Sequence, residues 1–211
     1  IILKNILETY MLRDVRDLLG EDVMRFRKIL LFLAVNMGGI LSYNELCSFA
    51  SIYFKYALSA LETLEQTYII RLLRPYHRKL TTEIRKNPKI YFFDLGMRNY
   101  LINNFNALHM RKDVPLLIEN FVLNQLSLNF EKLNYWRTKG GAEVDFVVDL
   151  ISEQIPVEVK FTSYRKAKIT RSLRSFMKKY KPDRAVVLTK DFYDVMKING
   201  TEILFIPVVY V

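Results

Sequence analysis

Three residues in two short runs carry the strongest chemical suggestion in the chain. Asp145 lies in EVDFVVDL (143–150), and Glu158 and Lys160 lie in IPVEVKF (155–161). Both runs are rich in Val, Ile and Phe and read as strands. Side chains alternate across a strand, so Glu143, Asp145 and Val147 are expected on one face, with Val144, Phe146 and Val148 on the other. On the next strand Glu158 and Lys160 share a face, opposite Val157 and Val159. When the two polar faces point the same way, two carboxylates and an ammonium group stand side by side. Asp145 and Glu158, completed by a backbone carbonyl and waters, are then ligands suited to Mg²⁺ or Mn²⁺. Such an ion would acidify a bound water and shield a phosphodiester, while Lys160 orients the water or steadies the transition state. Alternation also allows a plainer reading, in which the charges only wet one face of a hairpin.

A fourth group comes from the helix PLLIENFVLNQLSLNF (115–130). Glu119 is expected in its first turn, either as an accessory to the strand trio or as a carboxylate that favours the helix dipole. The elements around these residues follow a clear order. After the helix come a strand LNYWR (133–137), a turn TKGG, the two strands above and an amphipathic basic helix over 166–180. Strands RAVVL (184–188) and ILFIP (203–207) follow. Through RAVVL the pattern is α-β-β-β-α-β, in a domain from about residue 109 to 211 that ILFIP closes.

The preceding residues, 23–108, read differently. An apolar helix over 23–37 closes at Gly38-Gly39. Ser42 N-caps a second helix, with Glu45 completing a capping box. A third helix over about 53–66 turns Ala57, Leu58, Leu61 and Leu64 inward. Strand-like YIIRLLR (68–74), a basic stretch and KIYFF (89–93) then suggest a two-stranded ribbon. Three helices followed by a ribbon with a basic loop is the winged-helix plan, in which the third helix enters the major groove and the wing follows the backbone. Glu62 and Glu65 suit a recognition helix poorly, so the wing is the better phosphate contact. Residues 4–18 make a further amphipathic helix, and the chain opens Ile-Ile rather than Met. Residues 1–22 therefore read as the tail of a preceding domain in a longer protein.

Charge supports a polyanionic partner. The net charge is +10, and from Lys160 to Lys181 there are nine Lys or Arg and no Asp or Glu. From Ile69 to Lys89 there are seven Lys or Arg against one Glu. Nucleic acid is the partner these blocks suggest, through Arg71, Arg74, Arg78, Lys79, Arg85 and Lys86 in the wing, together with Lys89 and His77. On the C-terminal helix the corresponding residues are Arg165, Lys166, Lys168, Arg171 and Arg174. Two solvated basic faces remain the bland alternative. One cysteine and two histidines exclude a disulfide and a Cys- or His-rich zinc centre, and fit a reducing, cytoplasmic setting. The longest apolar run, ILLFLAVNMGGIL at 29–41, is too short to span a bilayer, so no membrane is expected as a partner. No Gly-x-x-x-x-Gly-Lys-Ser/Thr loop occurs, so these residues do not cradle a nucleotide in the P-loop manner.

Asp145 with Glu158-Val159-Lys160, and Glu119 on the preceding helix, resembles the PD-(D/E)XK nuclease superfamily, the fold of restriction enzymes and Holliday-junction resolvases. More closely, LLRPYHRKLTTEIRKNPKIYFFDLG (72–96), IENFVLNQL (118–126) and YWRTKGGAEVDFVV (135–148) are similar to the C-terminal region of prokaryotic AAA-type ATPases. In those proteins an ATPase domain is followed by a winged helix and a nuclease-like domain of unknown function. The resemblance implies a mixed α/β chain in three parts. Residues 1–22 end the ATPase lid, 23–108 form a winged-helix domain, and 109–211 form an αβββαβ restriction-endonuclease-like domain. It also implies an upstream ATPase domain as partner, DNA as the nucleic acid, homo-oligomers as in many relatives, and Mg²⁺-dependent phosphodiester hydrolysis. Within that scheme Asp145 and Glu158 hold the metal, and Lys160 and Glu119 are the catalytic and accessory groups. The competing expectation is an inactive nuclease fold that docks, oligomerises or regulates the ATPase. A plain winged-helix regulator would leave 115–211 unexplained.

Overall fold

The computed structural model describes residues 2, 5, 6, 9, 23–77, 83, 86–150 and 152–211. The expected helix over 4–18 and the tail over 1–22 lie outside the described residues but for a few positions, as do Arg78, Lys79 and Arg85. The described chain is mixed α/β, with six α-helices and two sheets among the described residues. It divides into two compact units, residues 1–72 with 87–112, and residues 73–86 with 113–211. Among the described residues no helix is long and apolar enough to cross a membrane.

The first unit begins with helices α1 (Val23–Val35), α2 (Tyr43–Ala50) and α3 (Phe54–Gln66). Ser42 caps α2, its hydroxyl accepting from the Glu45 amide at 3.3 Å. α1 packs on α2 and α2 on α3. Their seam buries Phe26, Leu30, Leu33, Leu46, Ala57, Leu61 and Leu64. On α3 the inward set is Ala57, Ala60, Leu61 and Leu64. Leu58, expected among them, is 43 % exposed, because it falls one position off that 3.6-residue stripe. Strands β1 (Ile70–Leu73) and β2 (Lys89–Phe92) pair in a two-stranded sheet, and α4 (Leu95–Leu101) packs on α1 and β2. All four residues of β2 are buried, Lys89 included, so Lys89 is not the surface cation its sequence context suggests.

The described residues of the basic stretch after β1 fall in the second unit. Pro75 bridges Tyr135, and the Arg74 carbonyl accepts from the Tyr135 amide at 3.0 Å. Tyr76 is buried among residues of the second core, and the Glu83 carboxylate accepts from Asn134 Nδ2 at 3.0 Å. Of the segment expected as the wing, residues 73–77, Glu83 and Lys86 are described, and they belong to the second unit.

The second unit holds α5 (Val114–Asn129), β3 (Leu133–Arg137), β4 (Glu143–Asp149), β5 (Gln154–Lys160), α6 (Arg171–Tyr180), β6 (Arg184–Thr189), β7 (Asp194–Ile198) and β8 (Thr201–Pro207). Its sheet runs β3-β4-β5-β6-β8-β7, with β5, β6 and β8 mutually parallel and the outer pairs antiparallel. α5 packs on β5, and α6 packs on β4 and β5. Beneath α6 lies a core of Trp136, Val144, Val147, Leu173, Phe176, Val187 and Phe205. β7 was not expected from the sequence. It is joined to β8 by Asn199-Gly200 with φ of 50° and 92°, the left-handed pair that a two-residue hairpin turn requires. The C-terminal basic helix starts five residues later than expected, at Arg171, because Thr170 is its N-cap. The Thr170 hydroxyl accepts from the Leu173 amide at 3.1 Å. Arg165, Lys166 and Lys168 therefore belong to the connection before α6 and not to its surface.

Candidate metal and phosphodiester site

The register of β3 against β4 places the first site residue. Asn134 pairs with Val147, but Trp136 pairs with Val144, so β4 carries one extra residue between these positions. An inserted residue breaks the two-residue alternation and re-aims the side chains next to it. Val144 and Val147 consequently enter the same core beneath α6. The expectation that Asp145 and Val147 share a wet face is overturned here: Val147 is fully buried. Pairing of β4 with β5 also stops at Phe146–Val157. Past that point a side chain replaces the backbone, because Asp145 Oδ2 accepts from the Val159 amide at 2.8 Å.

Glu158 follows on β5, and only 3 % of its side chain is exposed. A carboxylate so buried needs compensation. Thr170 donates to Glu158 Oε1 at 2.7 Å, while Glu158 Oε2 is buried with no hydrogen-bond partner among the described residues. Burial pushes the Glu158 carboxyl above its usual range, against the pull of Lys160 and Thr170; Asp145 adds to the rise. Lys160 closes the group. Its ammonium lies 3.6 Å from Asp145 Oδ2, 3.6 Å from Glu158 Oε1 and 3.2 Å from the Val159 carbonyl oxygen, to which it donates. Burial would lower the Lys160 pKa, but attraction to Asp145, Glu158 and the more distant Glu119 outweighs it and leaves the pKa raised.

Glu119 thus faces the trio electrostatically from α5, though from the second turn of that helix. α5 begins at Val114 and has no acidic residue in its first turn. The helix-dipole role considered for Glu119 lapses accordingly, since that effect fades beyond the first turn. Among the described residues no three His, Cys, Asp or Glu side chains stand together as a metal-binding group, so Glu119 does not join Asp145 and Glu158 as a third such ligand. Two carboxylate oxygens and a main-chain carbonyl oxygen thus surround the Lys160 ammonium. Hard oxygens of this kind are also the ligands that Mg²⁺ or Mn²⁺ takes.

Two residues at the site escaped the sequence reading. Thr170 both caps α6 and holds Glu158, and a Thr just ahead of an amphipathic helix is a signal for the first role alone. Ser172 accepts from the Glu143 amide at 3.1 Å, fastening the first turn of α6 to the start of β4. Nearby, Trp136 Nε1 donates to the Tyr180 hydroxyl at 3.2 Å, and Phe176 and Tyr180 stack with centroids 4.5 Å apart.

The basic residues fall into three settings. Arg165, Lys166, Lys168, Arg171 and Arg174 are exposed in the second unit, on α6 or the connection leading to it, and Lys86 is exposed in the same unit. Arg74 is half-buried there. Arg71 belongs to the first unit, where its guanidinium lies 4.6 Å over the Phe93 ring and burial lowers its pKa, with Glu65 opposing. Glu65 itself accepts from the Leu72 amide at 3.1 Å, so one of the two acids on α3 has a structural use.

Two family models match the chain. Residues 1–108 match a domain of unknown function, DUF8612, and residues 116–209 match a second domain of unknown function, DUF4143. An uncharacterized protein of Mycobacterium bovis and another of Mycobacterium tuberculosis are each 31 % identical over 172 residues, covering 79 % of this chain and 38 % of the relative. The chain spans well under half the length of these curated relatives.

Proposed function

The chain belongs to the family of the domain of unknown function DUF8612, and from that premise we propose that it is the nucleic-acid-processing end of an AAA-type ATPase. In this reading residues 113–211 are a PD-(D/E)XK nuclease-like module hydrolysing phosphodiesters, and the helices and ribbon of the first unit are a winged helix. DUF4143, matched by residues 116–209, occurs in AAA-ATPase-associated proteins, which supports the link to an ATPase. DNA is the substrate class that the basic residues of both units favour.

The observation that carries the proposal is the gathering of Asp145 Oδ2, Glu158 Oε1 and the Val159 carbonyl around the Lys160 ammonium, with Glu158 Oε2 buried and unbonded among the described residues. Asp145, Glu158 and the Val159 carbonyl would hold a divalent ion, which would supply an acidified water and neutralise charge at the phosphorus. The remaining tasks fall to the chain. Thr170 fixes Glu158 by one oxygen and so aims the other. The β4 insertion holds Asp145 clear of the ladder, and its bond to the Val159 amide keeps it opposite Glu158. Lys160 steadies negative charge on the scissile phosphate and orients the attacking water. Glu119 attracts the Lys160 ammonium from α5.

One observation favours a second reading. The Lys160 ammonium already reaches all three oxygens, and a cage neutralised by its own lysine would leave a docking or oligomerisation module without catalysis. Assays of supercoiled, linear and single-stranded DNA and of RNA, with Mg²⁺ or Mn²⁺, separate the two. Catalysis predicts cleavage that disappears in Lys160→Ala although divalent binding persists, and slows in Glu119→Gln. Divalent binding without cleavage of any substrate, or undiminished cleavage by Lys160→Ala, would sink the nuclease reading.

A further inference from the structure

We propose that the groove between the C-terminal half of α6 and the β7–β8 turn holds an unpaired nucleotide of a nucleic-acid strand. Its phosphate meets Arg174, Lys178 and Lys181, and its base lies over Met177 and Ile198. The groove encloses about 510 Å³ and brings these residues together with Asn199.

Arg171, Arg174, Lys178 and Lys181 recur at three- and four-residue spacing, so they form one stripe along α6 and its cap. Like charges at this spacing repel. Among the described residues none of Arg174, Lys178 and Lys181 is ion-paired. Arg184 on β6 shows the contrasting case, since its guanidinium is held by Glu153 at 2.7 Å. An uncompensated stripe is what a polyanion neutralises. Lys181 adds a second sign. It ends α6 at φ 51° and ψ 54°, in the left-handed region where glycine is the usual C-cap. Opposite it, the Asn199-Gly200 turn brings an amide side chain to the rim.

A row of cations on a flat helix would serve a duplex backbone equally well. The groove differs in having the half-buried Ile198 on its wall, with the edge of the buried Met177 at its floor. Apolar walls suit the face of a base, and bases in a duplex keep their faces in their own stack. Phosphate and exposed base together specify an unpaired nucleotide. From Thr170, which holds Glu158, to Lys181 at the groove, α6 rises about 16 Å, so a strand seated here reaches the acidic site within a few nucleotides. That continuation rests on the proposed phosphodiesterase reading, whereas the groove's own affinity does not.

Fluorescence anisotropy on the full chain in EDTA tests the groove without metal chemistry. The probes are a labelled oligothymidylate, an abasic oligonucleotide of equal length and a blunt duplex. Oligothymidylate is expected to bind about tenfold tighter than either of the others. Lys178→Ala with Lys181→Ala is expected to lose about tenfold and to flatten the salt slope by roughly 1.4, or 0.7 per cation. Arginine at both positions restores binding, and Glu158→Gln binds like the parent, so failure of the metal site leaves this result standing. Equal binding of the abasic or duplex probe, or an unaffected double variant of unchanged melting temperature, would overturn the proposal.

Discussion

Two ladders of the same sheet end in different ways. β6 and β8 pair over six consecutive positions, from Arg184–Glu202 to Thr189–Pro207, without interruption. β4 and β5 pair over four, from Asp149–Gln154 to Phe146–Val157, after which the Asp145 carboxylate takes the Val159 amide in place of a backbone carbonyl. Both ladders are built from Val, Ile and Phe, so propensity does not separate them. The inserted residue in β4 does. Regular pairing buries Val187, Ile203 and Phe205 and holds the unit together. The interrupted pair yields backbone bonds and presents charged groups where a regular ladder would have closed. Stability and chemistry are therefore expected to respond to different substitutions.

The largest effect falls on the regular ladder. Phe205 is fully buried, and Phe205→Ala is expected to cost about 3–5 kcal/mol in urea unfolding. At low temperature, the folded fraction of that variant still binds divalent ions with parental affinity. Asp145→Ala reverses the pattern, with a smaller stability loss of about 1–3 kcal/mol from the unmet Val159 amide and complete loss of divalent binding. A metal affinity that tracked global stability in both variants would erase the distinction between the ladders. Thr170→Ala sits between them, because one hydroxyl serves α6 and Glu158 at once. Its cost is about 0.5–2 kcal/mol, together with weakened divalent binding, and Thr170→Ser should recover both. The smallest effect is expected for Tyr180→Phe, which removes the Trp136 partner and costs about 0.5–1.5 kcal/mol by thermal melting. Divalent binding is untouched there.

The sequence was most informative where structure is local. β3 spans 133–137 as expected, α2 starts behind the Ser42 cap, and the order of elements through β6 is as read. A boundary was missed where one side chain decides it: Thr170 starts α6 five residues late. β7 escaped although Asn199-Gly200 marks a hairpin turn, since its exposed Val195 and the charged Lys197 dilute the apolar pattern. The candidate trio was legible as residue types at strand spacing, but not its geometry. Alternation cannot reveal an inserted residue in β4, because the insertion is defined only against β3. Nor can it show that Glu158 is buried under α6 with Thr170 on one oxygen, which depends on a contact twelve residues away.

The most direct test of the central claim is isothermal titration of Mg²⁺ and Mn²⁺ into the parent chain, Asp145→Ala and Glu158→Ala. One divalent ion bound by the parent and none by either variant is the predicted result. No binding by the parent, with or without DNA, or undiminished binding by both variants, would contradict it.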